Sequence, residues 1–197
     1  LADAAQWVHF ALTSEDTNNI SYALMISDAL SGVILPAVVS LIEKINALAS
    51  RYKNEPMLAR THGQPASPTT IGKELKVFSS RLSRQIGELR AKNIQVKLNG
   101  ATGNYNAHVA AYPAIDWISF TSAFIKKLNA SRNIVLEVNN ITTQIEPHDT
   151  YAELFDIMKR INTIIVDFNQ DMWRYISDGW ILQKAVPGEV GSSTMPH

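Results

Sequence analysis

From Asp149 onward, apolar residues recur at Leu154, Ile157, Ile161, Ile164, Phe168, Met172 and Tyr175, in a nearly unbroken alternation of three and four. That period is an α-helix, and it predicts a run of at least about 25 residues, roughly 40 Å at ~1.5 Å per residue. A second stripe, Ile71, Leu75, Phe78, Leu82, Ile86 and Leu89, has Lys73, Lys76, Arg81, Arg84, Glu88 and Arg90 on its other faces. A third spans Thr13 to Ser50, through Ile20, Leu24, Leu30, Ile34, Val38, Leu41, Ile45 and Leu48. Helices of this length cannot be buried in a compact monomer. The fold class is therefore all-α, an elongated bundle of long helices that packs against other subunits.

The punctuation between the stripes sets their limits. Thr13-Ser14-Glu15-Asp16 supplies a helix start, with a hydroxyl for the free backbone N–H groups and acids at the positive end of the dipole. Gly32 and Pro36 weaken the middle of the first helix, and Pro36 predicts a kink or break there. Asn54 to Pro68, with three prolines and a glycine, reads as irregular, and Ser67-Pro68 reads as the next helix start. Asn99-Gly100 and Gly103-Asn104 interrupt the pattern. A shorter helix is expected from about Pro113 to Leu128, then a short strand pair or surface excursion from Asn129 to Thr143.

Composition bounds the function. With 18 basic and 18 acidic side chains in 197 residues, the chain lacks the basic excess that nucleic acid binding demands. The absence of cysteine excludes disulfides, zinc–thiolate sites and thiol nucleophiles. No run approaches the ~18 apolar residues of a membrane span, and no signal segment is evident, so no membrane partner is expected and cytoplasm is the default compartment. Gly-rich phosphate loops and HExxH patterns are absent.

Polar residues in irregular sequence remain as candidates for chemistry. Gly191-Ser192-Ser193-Thr194-Met195-Pro196-His197 follows Pro187-Gly188-Glu189 and reads as the start of a Gly-hinged polar loop. His62, in Arg60-Thr61-His62-Gly63-Gln64-Pro65, carries the one side chain that, unperturbed, exchanges a proton near neutral pH. Thr13 and Ser14 put hydroxyls beside free N–H groups, which serves either as a cap or as an anion site. Gln144, on its own, is a polar loop residue. Glu146-Pro147-His148-Asp149 invites a metal reading, but acids at a helix start explain it better, and no metal is expected.

GSSTMPH resembles the signature loop GSSxMPxKxNP of the fumarase/aspartase superfamily of lyases, whose Lys and Asn would lie beyond His197. Four further blocks resemble the adenylosuccinate lyase family within it: His9-Phe10-Ala11-Leu12-Thr13-Ser14-Glu15-Asp16, Arg60-Thr61-His62-Gly63-Gln64-Pro65-Ala66, Asn99-Gly100-Ala101-Thr102-Gly103-Asn104-Tyr105-Asn106-Ala107-His108 and Thr142-Thr143-Gln144-Ile145-Glu146-Pro147-His148-Asp149. The resemblance implies that residues 1–197 are the central helical domain of a longer lyase. They would end in the partial signature loop 187–197, with N- and C-terminal domains not present.

The implied activity is elimination of fumarate from adenylosuccinate and from succinylaminoimidazole carboxamide ribotide in purine biosynthesis, without a cofactor. Ser192 would be the base and His62 the acid, with Thr13, Ser14, Thr61, Gln144 and Ser193 as substrate ligands. A further site histidine, in an upstream Asn-His-Asp segment, is lacking. The family assembles shared sites in a homotetramer, and because that histidine and the Lys of the loop are lacking, the fragment alone is expected to associate without turnover. Another superfamily lyase, acting on argininosuccinate, fumarate or aspartate, is the nearest alternative. A non-catalytic helical scaffold or storage protein comes from a different class.

Overall fold

A computed structural model describes residues 2–195, so the Pro196-His197 end of the terminal loop lies outside the described residues. After a 3₁₀ turn at Ala2–Trp7, helix α1 (Ser14–Ala29) continues through a π turn at Leu30–Ile34 into α2 (Leu35–Arg51). A β-hairpin, β1 (Pro56–Thr61) and β2 (Gln64–Thr70), leads into α3 (Ile71–Arg90). Strand β3 (Ile94–Val96), the short α4 (Asn106–Ala111), α5 (Trp117–Leu128), β4 (Leu136–Val138) and α6 (Asp149–Ser177) follow. The chain is mostly helical, as expected, and α6 runs for 29 residues. Helix α2 packs on α3 and α3 on α6, so the bundle is built from the three stripes read in the sequence.

At Pro36 the helix neither breaks nor ends. The Leu35 N–H reaches the Leu30 carbonyl five residues back, and one extra residue is threaded into the turn just before the proline. This slips the buried face. Leu30 is followed in the core by Leu35, Val38, Ile42, Ile45 and Ala49, where uninterrupted counting predicts Ile34, Leu41 and Leu48. Leu48 is exposed, and Ile34 and Leu41 only flank the core.

The segment expected to be irregular is the hairpin. Its prolines sit in a two-stranded sheet with free edges, where a missing N–H costs no ladder bond that a central strand would need. The pairing runs from Pro56 opposite Thr70 to Thr61 opposite Gln64, with a register shift between Leu58 and Arg60. Ser67-Pro68 therefore lies in β2, and Thr70 caps α3 by accepting the Lys73 N–H at 3.2 Å. The helix expected from Pro113 starts at Trp117, capped by Asp116, whose carboxylate accepts the Ser119 N–H. Within 129–143 there is a single strand rather than a pair. Its partner is β3, bonded in parallel from Ile94 opposite Leu136 to Val96 opposite Val138.

One further expectation changes. Ser14–Arg51 is long and apolar enough to cross a membrane by length and composition, with a mean hydropathy of 2.0 over 18 residues of which 28% are buried. Its core stripe packs on α3, while Tyr22, Met25 and Val33 on other faces are exposed.

Candidate active site

The start of α1, the loop after β3 and the approach to α6 meet around a buried ion pair. Lys97 Nζ lies 2.7 Å from Asp16 Oδ1, and both side chains are 0% exposed. Asp16 also accepts the Thr13 N–H (2.9 Å), the Asn99 N–H (3.2 Å) and the Gly100 N–H (3.2 Å). Asp16 thus closes a capping box with Thr13 at the start of α1. Thr13 Oγ1 also accepts from Gln144 Nε2 at 3.1 Å, so two predicted substrate ligands, 131 residues apart, touch. Ser14 is exposed beside them in the first turn of α1. Gly103, at φ +72°, lets the 99–104 loop approach the 142–144 backbone; a Cβ there would stand 2.1 Å from the Thr142 carbonyl oxygen. Asn99 Nδ2 donates to Thr142 Oγ1 at 2.9 Å and ties the same two loops.

Glu146 and His148 border this lattice. Glu146 is 1% exposed, accepts from Asn139 Nδ2 at 3.2 Å through one oxygen and has no partner for the other, and burial pushes its carboxyl above the ordinary range. His148 stacks on Tyr151 with ring centroids 4.9 Å apart, and its Nε2 stands 3.1 Å from Glu15 Oε1. Burial, helped by Glu146 and Glu15, pushes the Tyr151 phenol up to about 12. Among the described residues, no group of three or more His, Cys, Asp or Glu could hold a metal.

Thr61 and His62 are at the tip of the hairpin, both exposed. His62 (φ +51°) and Gly63 (φ +71°) form its two-residue loop, and two successive left-handed residues define a type I′ turn that holds the imidazole outward. Arg60, next to the tip, lies 3.8 Å from Asp178 just past the end of α6. A cleft of about 670 Å³ between the hairpin and α6 is lined by Arg60, Glu74, Asp171, Arg174, Tyr175 and Trp180 among others. Asp171 is held above the usual carboxylate range by burial and then by Glu74 and Asp167. Ser192 is half-buried, Ser193 exposed, and the Ser192 Oγ accepts the Met195 N–H at 3.0 Å and the Thr194 N–H at 3.4 Å.

The predicted site residues thus fall into separate groups. Thr13, Ser14 and Gln144 lie at the N-terminal end of α6, and Thr61 and His62 at its C-terminal end. From Asp149 to Arg174 the helix alone spans about 38 Å at ~1.5 Å per residue. The chain does not bring the imidazole to the Thr13–Gln144 pair.

A family model described as Lyase matches residues 1–197. The chain belongs to this lyase family. The adenylosuccinate lyase of Haemophilus influenzae is 51% identical over 197 residues, covering 100% of this chain and 42% of the relative. That of Escherichia coli K12 is 51% identical over 193 residues, 98% of this chain and 41% of the relative. The chain thus spans about two fifths of the length of these curated relatives. Among solved structures, the 3-carboxy-cis,cis-muconate lactonizing enzyme of Pseudomonas putida superposes with a TM-score of 0.78 at 24% identity, over 100% of this chain and 42% of that one, which bears on the fold alone.

For a member of this lyase family, the residues that sequence reading passed over are those of the buried lattice. Lys97 sits at the end of a three-residue strand, where a lysine reads as solvated. His108 is boxed by Trp117 and Tyr105 at 4.9 and 5.5 Å, and burial lowers its pKa. His9 is exposed.

Proposed function

We propose that the protein to which this chain belongs is a carbon–nitrogen lyase that eliminates fumarate from adenylosuccinate, giving AMP, and from succinylaminoimidazole carboxamide ribotide, giving the carboxamide ribotide. The observation that carries this reading is identity of about 51% to adenylosuccinate lyase over 98–100% of the chain.

The reaction needs a base for a weakly acidic proton next to a carboxylate, donors for the aci-carboxylate that forms, and an acid for the departing nitrogen. Ser192 is the base. An unperturbed hydroxyl is far too weakly acidic, and the two backbone N–H groups directed at its oxygen favour the anion that must form. His62 is the acid, exposed on a rigid turn where its ring can meet a leaving nitrogen. Thr13, Ser14 and Gln144 take one end of the substrate, and Thr61 and Ser193 the other. As the C–H bond breaks, its electron pair builds the aci-carboxylate; as that collapses to fumarate, the C–N bond breaks and the nitrogen takes the proton of His62.

The separation along α6 makes the assembly part of the reading. A homotetramer of antiparallel bundles sets the hairpin end of one copy against the Thr13 end of another, and supplies cover for Tyr22, Met25, Val33, Val166 and Trp173, which are exposed here. The setting is cytoplasmic, and the partners are succinylated purine nucleotides and further copies of the chain. Full-length protein given each substrate should release fumarate, with the accompanying ultraviolet change. Release from neither substrate rejects the assignment, and release from argininosuccinate alone moves it to a sister enzyme.

A further inference from the structure

A lysine with 0% exposure forfeits its hydration, and that loss is tolerated only where every donor of the ammonium finds an acceptor. Lys97 meets the condition. Its three donors go to Asp16 Oδ1 (2.7 Å), the Gly100 carbonyl (3.0 Å) and the Gln144 carbonyl (2.9 Å). Its backbone is gripped as well. The Lys97 N–H donates to Asn19 Oδ1 at 2.9 Å, and the Lys97 carbonyl accepts from Asn19 Nδ2 at 3.0 Å, fixing the residue to α1.

An apolar pair of the same volume would fill this space at no desolvation cost. What it could not do is direct hydrogen bonds to three separate backbone segments. From Lys97 one bond holds the main chain of Gln144, whose amide reaches Thr13 Oγ1. From Asp16 another holds the main chain of Thr13. The two ligand side chains are therefore each one bond away from the same ion pair. Resting on the reading of Thr13 and Gln144 as substrate ligands, we infer that Lys97 is a positioning residue: with Asp16 it sets the register of the Gln144 loop against the start of α1, and so sets the affinity for the substrate end that binds there.

The test uses full-length Lys97→Met and, because burying an unpaired Asp16 endangers folding, the double variant Lys97→Met/Asp16→Asn, which leaves no unpaired charge. Amide hydrogen exchange should rise roughly tenfold or more in peptides covering 11–16, 97–105 and 142–146, while those of α3 and α6 stay protected. Kinetically, Lys97→Met should raise KM about tenfold with kcat changed less than about threefold. In a Gln144→Ala background the same substitution should add almost nothing, because its effect passes through Gln144. Unchanged exchange in the three segments would overturn the inference, as would exchange raised throughout the bundle in both variants or fully additive losses in the Gln144→Ala background. Should the wild-type protein release no fumarate, the functional reading alone fails. The exchange pattern still decides whether Lys97 sets the register.

Discussion

The two ends of the bundle are built on opposite plans. At the Thr13 end, candidate ligands rest on a buried polar lattice in which Asp16, Lys97 and Asn19 are all buried and each bonds to more than one segment. At the hairpin end, Thr61 and His62 are exposed; in the loop that follows α6, Ser193 is exposed and Ser192 bonds only within that loop. Preorganisation suits groups that must hold a substrate in one geometry. Exposure suits groups that must be completed by another surface and move a proton once it closes. Substitutions at the open end should therefore act on turnover and leave the fold alone, whereas those at the built end should act on affinity and stability together.

The largest effect belongs to the open end. Ser192→Ala in the full-length protein should lower kcat by roughly 10²–10⁴-fold, the usual worth of a positioned base, while KM and the melting temperature hardly change. Steady-state fumarate release and thermal melting check it. An equal loss in substrate affinity would take the base role from Ser192.

The separation along α6 can be challenged next. Assayed at substrate well below KM, His62→Gln and Gln144→Ala should each lose most of the activity alone, because each spoils one half of every site. Dissociated and reassociated together, they should recover about a quarter of the wild-type rate, the fraction of sites that draws an intact half from each of two chains. No recovery would mean that one chain supplies both halves, and the contrast between the ends would lose its functional meaning.

What could be read in the sequence does not divide along the two ends. The stripe of α6 carries its own signal, and its Leu154, Ile157, Ile161 and Ile164 are buried as its period requires; Ser192 and His62, like Thr13, Ser14 and Gln144, stand out only through the resemblance of their short strings to a lyase family. What escaped reading is non-local or breaks a count. The π turn at Leu30–Ile34 exchanges Ile34, Leu41 and Leu48 for Leu35, Ile42 and Ala49 in the core, while Val38 and Ile45 stay buried on either count. The hairpin hid behind prolines that argue against strands until both of its strands prove to be edges. Strand β3 is three residues long and pairs with a segment about 40 residues later, which no local pattern reveals. Lys97 escaped for the same reason: its partner Asp16 is 81 positions away.

At the built end the tightest backbone approach is Gly103 against Thr142. Gly103→Ala adds a methyl group 2.1 Å from a carbonyl oxygen, at a φ that L-residues resist, so the two loops must part. A loss of about 2–4 kcal/mol is expected in urea unfolding, together with a rise in KM. An unchanged melting curve would mean that the lattice gives way freely, and the contrast in rigidity would fail.

The smallest effect is the most diagnostic, because its sign depends on pH. Burial raises the Glu146 carboxyl above its ordinary value of 4.5, and one of its oxygens has no partner, so the folded state holds the proton more tightly than the unfolded chain does. Where the unfolded state binds fewer protons, stability falls as pH rises. The wild-type protein therefore loses stability from about pH 4.5 up to the raised folded value, and the loss is complete above it. Glu146→Gln removes the titration while keeping an oxygen for Asn139. The variant should melt a few degrees above wild type at pH 7, and the gap should close as the pH falls below 4.5. A gap independent of pH would assign the gain to packing. A lower melting temperature at neutral pH would mean that the carboxylate is stabilised by its surroundings, and the built end would then tolerate a charge that its burial argues against.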